Sequence, residues 1–514
     1  MSAASTVTAA PQPVLARLGA VMASRPLWIA LGITALVTAL RLVDTVDSDV
    51  AWQLWIAGRI HAGAHLYRDI IEVNPPLWFW MAVPVERIAA ILHLPIVAVL
   101  IVGIGLLVML SLAAANRLLD DIPAGQRTFV LGFAALALAA MPWMHTGQRE
   151  QIVLISTLPY AALIAARNDR RCPPTLLAVA VGIGAGLGFA LKHYFLVVPV
   201  LLELWLFTRD RKSWRAFRAE TVAVTSLGVI YAAAIILFAP DWLTNIVPLL
   251  RLAYGATGAP AFRYLFGPFA LLGLAILGIC ATQQRRLRSA SFAAALSVAA
   301  AGFAVAYFIQ AKGWAYHAIP MLGCGTIALA YLLSEAKGLP LLVRLLGPAL
   351  LALPLFLAAD DEMHPALPSP DLLGAISGLK KGDSVGFLTT ETAIPWSVTL
   401  QRGYRYPSRY MGYWMMNAII RNERLANPDP RLTFLGRQII TQTIEDFRCL
   451  PPKRIIVWRP RPRQQAFDIL PFFQRDPEFV KLLSHYRVRQ RTSLETYEHV
   501  SPLSPPTSPC RNLG

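Results

Sequence analysis

The stretch Asp47–Trp80, DSDVAWQLWIAGRIHAGAHLYRDIIEVNPPLWFW, decides how this chain is read. It follows the first apolar run, 27–43, and opens on two carboxylates, Asp47 and Asp49, one residue apart. Residues 51–62 have the spacing of an amphipathic helix. The stretch closes on Asn-Pro-Pro and the aromatic run Trp78, Phe79 and Trp80. Residues 76–93 are apolar, but Pro84, Glu86 and Arg87 interrupt them. If 76–93 crosses a membrane, every later loop changes side.

That question matters because the composition is that of a polytopic membrane protein. The chain has 514 residues, 56% of them hydrophobic and only 15% charged, with a mean hydropathy of +0.50. Such values exclude an ordinary soluble enzyme. A membrane helix needs roughly 20 apolar residues. Eleven stretches fit: 27–43, 96–116, 128–144, 151–166, 174–191, 194–208, 221–239, 265–282, 289–309, 315–334 and 340–358. The segment 1–26 is small and polar and is expected to be cytoplasmic, with 27–43 retained as the first span rather than cleaved as a signal peptide.

Basic residues arbitrate the disputed segment, because cytoplasmic loops carry an excess of Lys and Arg. With 76–93 lying flat, the cytoplasmic loops hold Arg167, Arg170 and Arg171, then Arg209, Arg211, Lys212, Arg215 and Arg218, then Arg285, Arg286 and Arg288. The opposite loops hold single cations: Arg149, Lys192, Arg251, Arg263 and Lys312. A crossing at 76–93 would reverse that bias. We therefore read 76–93 as an interfacial helix, with Trp78, Phe79 and Trp80 at headgroup depth. Loop one, 44–95, and everything after 358 then face outward. The formal charge of +17 reflects orientation in the membrane, and no nucleic-acid partner is expected.

From about 359 the composition turns polar and Arg- and Pro-rich. Strand-like runs at 384–389 and 454–458, with helical patterns near 408–424 and 464–484, predict an extracytoplasmic α/β domain over 359–500. The end, 501–514, reads as disordered. None of the five cysteines forms a C-x-x-C pair, which argues against a zinc or redox site. Cys449 and Cys510 can pair if the tail lies outside the cytoplasm.

The outward cations are not needed for topogenesis. Arg149 sits in HTGQREQ, Lys192 and His193 at the turn between two spans, Arg251 and Arg263 in the loop 240–264, and Lys312 in QAKGWAYH. Ionisable residues at that depth are candidate functional groups. Cations around one cavity suit a phosphate or pyrophosphate; the bland alternative is snorkelling to headgroups. Asp47 and Asp49 have two readings as well. One is capping of the helix that follows, which accounts for one of them. The other is a general base that takes a proton from an attacking hydroxyl or amine. Glu72 and Asp69 are further loop-one acids that could pair with Arg68 or tune the site. His145 and His317 could assist proton transfer, while Trp78, Trp80 and Trp314 are read first as membrane anchors.

The order of these features resembles that of the GT-C membrane glycosyltransferases, above all the aminoarabinose-transferase and protein O-mannosyltransferase branches. The resemblance rests on the acidic D-x-D after the first span, the helix running into GAHLYRD, and NPPLWFW. LKHYF and AKGWAYHAIP also resemble later segments of that family. It covers roughly 27–358. It implies an all-α polytopic bundle of about eleven transmembrane helices with a site on the outer face. It further implies an inverting transferase that moves a sugar from a polyprenyl-phosphate donor to a glycan, lipid or protein acceptor. The catalytic carboxylate maps to Asp49 or Asp47. Lipid-phosphate cations map to Lys192, to Arg251 or Arg263, and to Lys312, with Tyr316 and His317 following in the same late segment. A second acidic position falls on Arg149 and Glu150. Val50 stands where a second acid usually follows the key Asp, which leaves the acceptor class and metal use open. No cofactor is assigned. The rival readings are a polysaccharide polymerase or ligase, and a transporter of lipid-linked sugar. Transporters tend to show paired halves, and no such symmetry is visible. An Arg- and Ala-rich multi-pass chain with membrane lipids around it points to a bacterial inner membrane.

Overall fold

The computed structural model describes residues 25–254, 260–335, 338–363, 368–460, 467–506 and 510; the side chains of Arg263, Gln284 and 358–363 lie outside that description. Fourteen helices define the first two-thirds: α1 (Arg25–Arg41), α2 (Ser48–His61), α3 (Leu77–Leu92), α4 (Ile96–Leu118), α5 (Ala124–Ala135), α6 (Arg149–Asn168), α7 (Thr175–Ala190), α8 (Val197–Arg209), α9 (Ala219–Phe238), α10 (Val247–Ala253), α11 (Pro268–Thr282), α12 (Ser291–Gln310), α13 (Ala315–Ser334) and α14 (Leu341–Met363). Each predicted span coincides with one of them. Four of the described helices, α4, α9, α12 and α13, are long and apolar enough to cross a membrane by length and composition. On α9 the only buried residue is Glu220, and Ile230, Leu237 and Phe238 are exposed. An apolar helix left uncovered this way needs a hydrocarbon solvent.

The bundle has two ends of different character. Residues assigned to cytoplasmic loops meet at one: Arg167 donates to Glu220 at 3.0 Å, Arg170 pairs with Asp210 at 2.6 Å and Arg171 with Asp121 at 2.8 Å. Glu220 is fully buried and also accepts from Arg218 at 2.8 Å. Residues assigned to outer loops meet at the other end, where Asp47, Gln148, Lys192 and Lys312 gather. Helix α3 contacts this end at two points. Asn74, just ahead of it, accepts from Arg149, and Glu86 within it pairs with His61 of α2.

One expectation fails inside loop one. Trp78 and Phe79 do not face lipid headgroups: they are 2% and 0% exposed. The Trp78 indole donates to the Gly147 carbonyl at 3.1 Å, and its own carbonyl accepts from Gln53 at 2.6 Å. Trp80 is half-buried, edge-on to Tyr231 of α9. An indole with a buried acceptor packs rather than snorkels. The outward apolar face of α3 is its second half, where Ile88, Ile91 and Leu92 are exposed.

The tail folds on the same end of the bundle. Its sheet has the order β1-β2-β4-β3, from β1 (Val385–Leu388), β2 (Arg454–Trp458), β3 (Tyr486–Arg491) and β4 (Leu494–His499). β1 and β2 are parallel, and the hairpin β3–β4 closes one edge antiparallel. The two predicted strands are β1 and β2. The hairpin and the amphipathic helix α15 (Pro430–Cys449) are additions. Helix replaces only part of the predicted 408–424 and 464–484, at Met416–Glu423, Leu470–Phe473 and Pro477–Leu483. Arg409 explains why 408–415 is irregular. Its guanidinium is buried on Asp446 of α15 at 2.6 Å, and its carbonyl accepts from Ile71 of loop one at 2.8 Å.

The tail's core is continuous with loop one. Trp52 and Trp55 of α2 stack at 4.8 Å, and Trp52 meets Trp396 at 4.8 Å and Tyr406 at 6.4 Å. Each such aromatic pair contributes about 0.5–1.5 kcal/mol beyond area burial. Cys449 and Cys510 are disulfide-bonded. The described part of 501–514 is therefore tethered, and Leu503 packs against the second core cluster; 507–509 and 511–514 lie outside the described residues.

Candidate active site

Helix α2 begins three residues earlier than its apolar pattern indicates, and the reason is Asp47. This residue is the N-cap: its carboxylate accepts from the Asp49 N–H at 2.7 Å, and its carbonyl accepts from Ala51 at 2.8 Å. Asp49 falls in the first turn, where the helix's positive end favours a negative group. The two acids thus sit together at a single helix terminus.

Helix α6 supplies the opposing wall. A π-turn at Leu136–Ala140 and a short 3-10 segment at Trp143–His145 interrupt the chain before it. They deliver HTGQREQ to the acids. Gly147 holds φ +88°, a left-handed conformation that suits glycine. A Cβ there would stand 2.9 Å from Leu100 Cδ2. Gln148 donates to Asp47 at 3.2 Å and to Asp49 at 3.4 Å. His145 Nδ1 lies 3.3 Å from Asp47, and the Tyr316 hydroxyl donates to Asp49 at 3.4 Å.

Arg149 and Glu150 open α6 and are 3% and 0% exposed. The Arg149 guanidinium lies 4.6 Å above the Trp78 ring and donates to the Asn74 side chain. Asn74 in turn donates to Glu72 at 2.7 Å, and Glu72 accepts from the Trp52 indole at 2.5 Å. Arg68 has a salt-bridge partner beyond loop one. It pairs with Asp241 at 2.6 Å, across to the loop after α9. Glu150 pairs with Lys192 at 2.5 Å. Lys192 also reaches Gln310 at 3.0 Å and His317 Nε2 at 3.3 Å. It is held there because α7 approaches α6 closely at Gly188, where a Cβ would meet Ser156 at 2.8 Å.

Of the outward residues, the structure brings together Asp47, Asp49, Arg149, Glu150, Lys192, Tyr316 and His317. Lys312 stands beside them, 3.9 Å from the Tyr254 ring, and Tyr254 is edge-on to Trp414 of the tail. Two others are elsewhere. His193 is exposed and turned onto Tyr194. Arg251 is exposed on α10, whose other side packs against the tail core. Arg263 lies in the short helix Ala261–Leu265, and its side chain is outside the described residues. Reading the sequence missed Gln148, Asn74, Gln310 and Tyr254. The first three lie within quoted motifs, and a search for polar residues beside the acids and cations would have found them. Nothing local marks Tyr254.

Burial and a neighbouring charge set Asp49 apart from an ordinary carboxylate. Burial, and then the neighbouring Asp47 charge, push the Asp49 carboxyl up to about 6, against the pull of Arg149 and Gln148. Burial pulls Lys192 down to about 8 despite Glu150. A carboxyl titrating near neutral is suited to proton transfer. Arg149 Nε, Glu150 Oε2, Gln148 Oε1 and His317 Nδ1 are buried without hydrogen-bond partners among the described residues. Such atoms are rare in native structures and mark places where a ligand can bind. No group of three His, Cys, Asp or Glu side chains that could hold a metal ion is found among the described residues.

No protein-family model matches the chain, and no curated protein matches it significantly. Among solved structures, it matches the crystal structure of ArnT from Cupriavidus metallidurans bound to undecaprenyl phosphate. The match has a TM-score of 0.54 over 96% of this chain and all of that one, at 12% sequence identity. At so low an identity the likeness is one of fold. It spans the helical bundle and the tail together.

Proposed function

We propose that this chain is a GT-C-type membrane glycosyltransferase that takes a sugar from a polyprenyl-phosphate donor at the outer face of a bacterial inner membrane. The observation that carries the reading is the pairing, at one end of the bundle, of a near-neutral carboxylate, Asp49, with the buried cations Arg149 and Lys192. The undecaprenyl phosphate in the matched structure supports a donor of that class.

In this reading the acceptor's hydroxyl or amine gives its proton to Asp49 as it attacks the anomeric carbon. The bond from that carbon to the phosphate oxygen breaks, its electron pair stays on the phosphate, and the configuration inverts. Arg149 and Lys192 stabilise the growing charge on the leaving phosphate, with Lys312 at the edge of the site. Gln148 and Tyr316 orient Asp49 by hydrogen bonds, and Glu150 positions Lys192. The Cys449–Cys510 disulfide supports an oxidising compartment for the tail. The acceptor is a glycan, lipid or protein of the envelope.

The test is transfer by purified protein in lipid, supplied with radiolabelled polyprenyl-phosphate sugars. Sugar release or transfer should appear with one donor and collapse in Asp49→Asn. Turnover that survives in both Asp49→Asn and Asp47→Asn would remove the catalytic role from loop one.

A further inference from the structure

A cleft lies outside the acid and cation cluster, between loop one and the tail. It has a volume of about 430 Å³, and its walls include Trp55, Arg59, Glu86, Leu94, Ile96 and Arg405. Its two sides differ in chemistry. Leu94 and Ile96 stand at the entry to α4, beside the exposed Ile88, Ile91 and Leu92 of α3. The other side is basic. Arg59 lies 5.8 Å over the Trp55 ring. Arg405 is exposed and is held by a 2.9 Å bond from its Nε to the Gly382 carbonyl. Lys381 lines the same turn, against Gly403. Among the cleft's lining residues the one acid, Glu86, is paired with His61, and Asp69 acts on Arg59 from outside the lining.

We infer that this cleft binds the anionic headgroup of a membrane phospholipid, with the phosphate between Arg59 and Arg405 and the acyl chains along Ile88, Ile91 and Leu94. Two guanidiniums give bidentate contact to a phosphodiester. Clustered basic side chains at a membrane surface attract anionic lipid headgroups. The apolar side suits a ligand that carries hydrocarbon, which an oligosaccharide does not. The site rests on the membrane placement proposed above, but not on the sugar-transfer chemistry. It also adjoins the active site, since Trp55 stacks on Trp52, whose indole holds Glu72.

The test is native mass spectrometry of the full chain released from detergent, titrated with dioleoyl phosphatidylglycerol or dioleoyl phosphatidylcholine. Wild type should retain phosphatidylglycerol about tenfold better. Arg405→Gln, an exposed change that spares folding, should lower retention about fivefold, the scale of one charge-assisted contact. Arg59→Gln should do the same, and Arg59→Lys should restore part of it. The idea fails if the two lipids are retained equally or if Arg405→Gln changes nothing. It also fails if millimolar glycerol 3-phosphate or a soluble oligosaccharide displaces the lipid, which would assign the cleft to a free phosphate or a glycan. Retention is read without turnover, so a failed transferase assay leaves this result standing.

Discussion

The carboxylate of Asp47 accepts the backbone N–H of Asp49 at 2.7 Å, and this bond divides the work between the two acids. Asp47 spends one oxygen on capping α2, while Asp49 presents its own toward Tyr316 and Gln148. Asn caps as well as Asp. Asp47→Asn should therefore keep the fold and retain part of the activity, whereas Asp47→Ala should cost about 1 kcal/mol of stability. Asp49→Asn should lower transfer about a hundredfold to ten-thousandfold. Steady-state transfer and thermal unfolding of the three variants check this. Equal losses in Asp47→Asn and Asp49→Asn would cancel the division.

The pH profile of transfer should be bell-shaped. Below about 6 Asp49 is protonated and cannot act as a base; above about 8 Lys192 loses the charge that faces the phosphate. Lys192→Arg should remove the alkaline limb and keep the acid one. A profile flat from pH 5 to 9 would break both assignments.

Asp49 also links activity to stability. Its folded carboxyl titrates near 6 against an ordinary 3.8, so folding favours the protonated form. That contribution is complete below 3.8 and is lost as pH rises through 6. At pH 7.5 the ionised Asp49 then costs about 1–2 kcal/mol, after discounting for its partial exposure. Asp49→Asn should unfold at a higher temperature than wild type at pH 7.5 and at the same temperature near pH 4. A lower midpoint at pH 7.5 would contradict the raised carboxyl.

How much of this was legible in the sequence depends on range. The spans are read from long composition signals, and cation bias is the ground for reading α3 on one side. Loop one was recognisable because Asp47, Asp49 and the Pro-Pro-aromatic run are adjacent in the chain. The split between the acids was not, since capping depends on backbone angles that the letters do not carry. Trp78 was misjudged because an aromatic near a span reads as an anchor unless Gly147 is known to stand beside it. Arg251 and His193 were grouped with Lys192 by loop alone, and helix direction turned them away. Helix α15 was readable: Leu432, Leu435, Ile439, Ile440 and Ile444 repeat at helical spacing behind the Asp429 cap. The hairpin β3–β4 was hidden by its charged outer face.

Arg409 and Asp446 tie the tail together and, through the Arg409 carbonyl, tie it to loop one. Both are about 1% exposed. Removing one partner leaves a buried charge, so Asp446→Ala should cost about 3–5 kcal/mol. Limited proteolysis should then cut the tail while α4, α12 and α13 stay intact. A tail as resistant as wild type would show that the pair contributes little.

The disulfide makes a countable prediction. Cys172, Cys280 and Cys324 are free, so denatured, unreduced protein should label three thiols and reduced protein all five. The bond spans 61 residues, a loop whose closure stabilises by about 4 kcal/mol. Cys510→Ser should destabilise the tail by that order. Five reactive thiols without reductant would remove both the bond and its support for an outward tail.

Gly147 joins fold and chemistry at one backbone position. Its φ of +88° is one that an L side chain rarely adopts, and a Cβ there would press on Leu100. Its carbonyl anchors the Trp78 indole, and its N–H donates to Gln151 at 2.7 Å. Gly147→Ala must therefore either strain the turn or move it, at a cost of about 1–3 kcal/mol. A moved turn shifts Gln148 from Asp49 and Trp78 from Arg149 together. The variant should thus lose kcat as well as stability, and lowering the temperature until it is fully folded should not restore the rate. Full recovery of kcat in the folded variant would mean that the turn serves the fold alone, and that Gln148 does not orient the base.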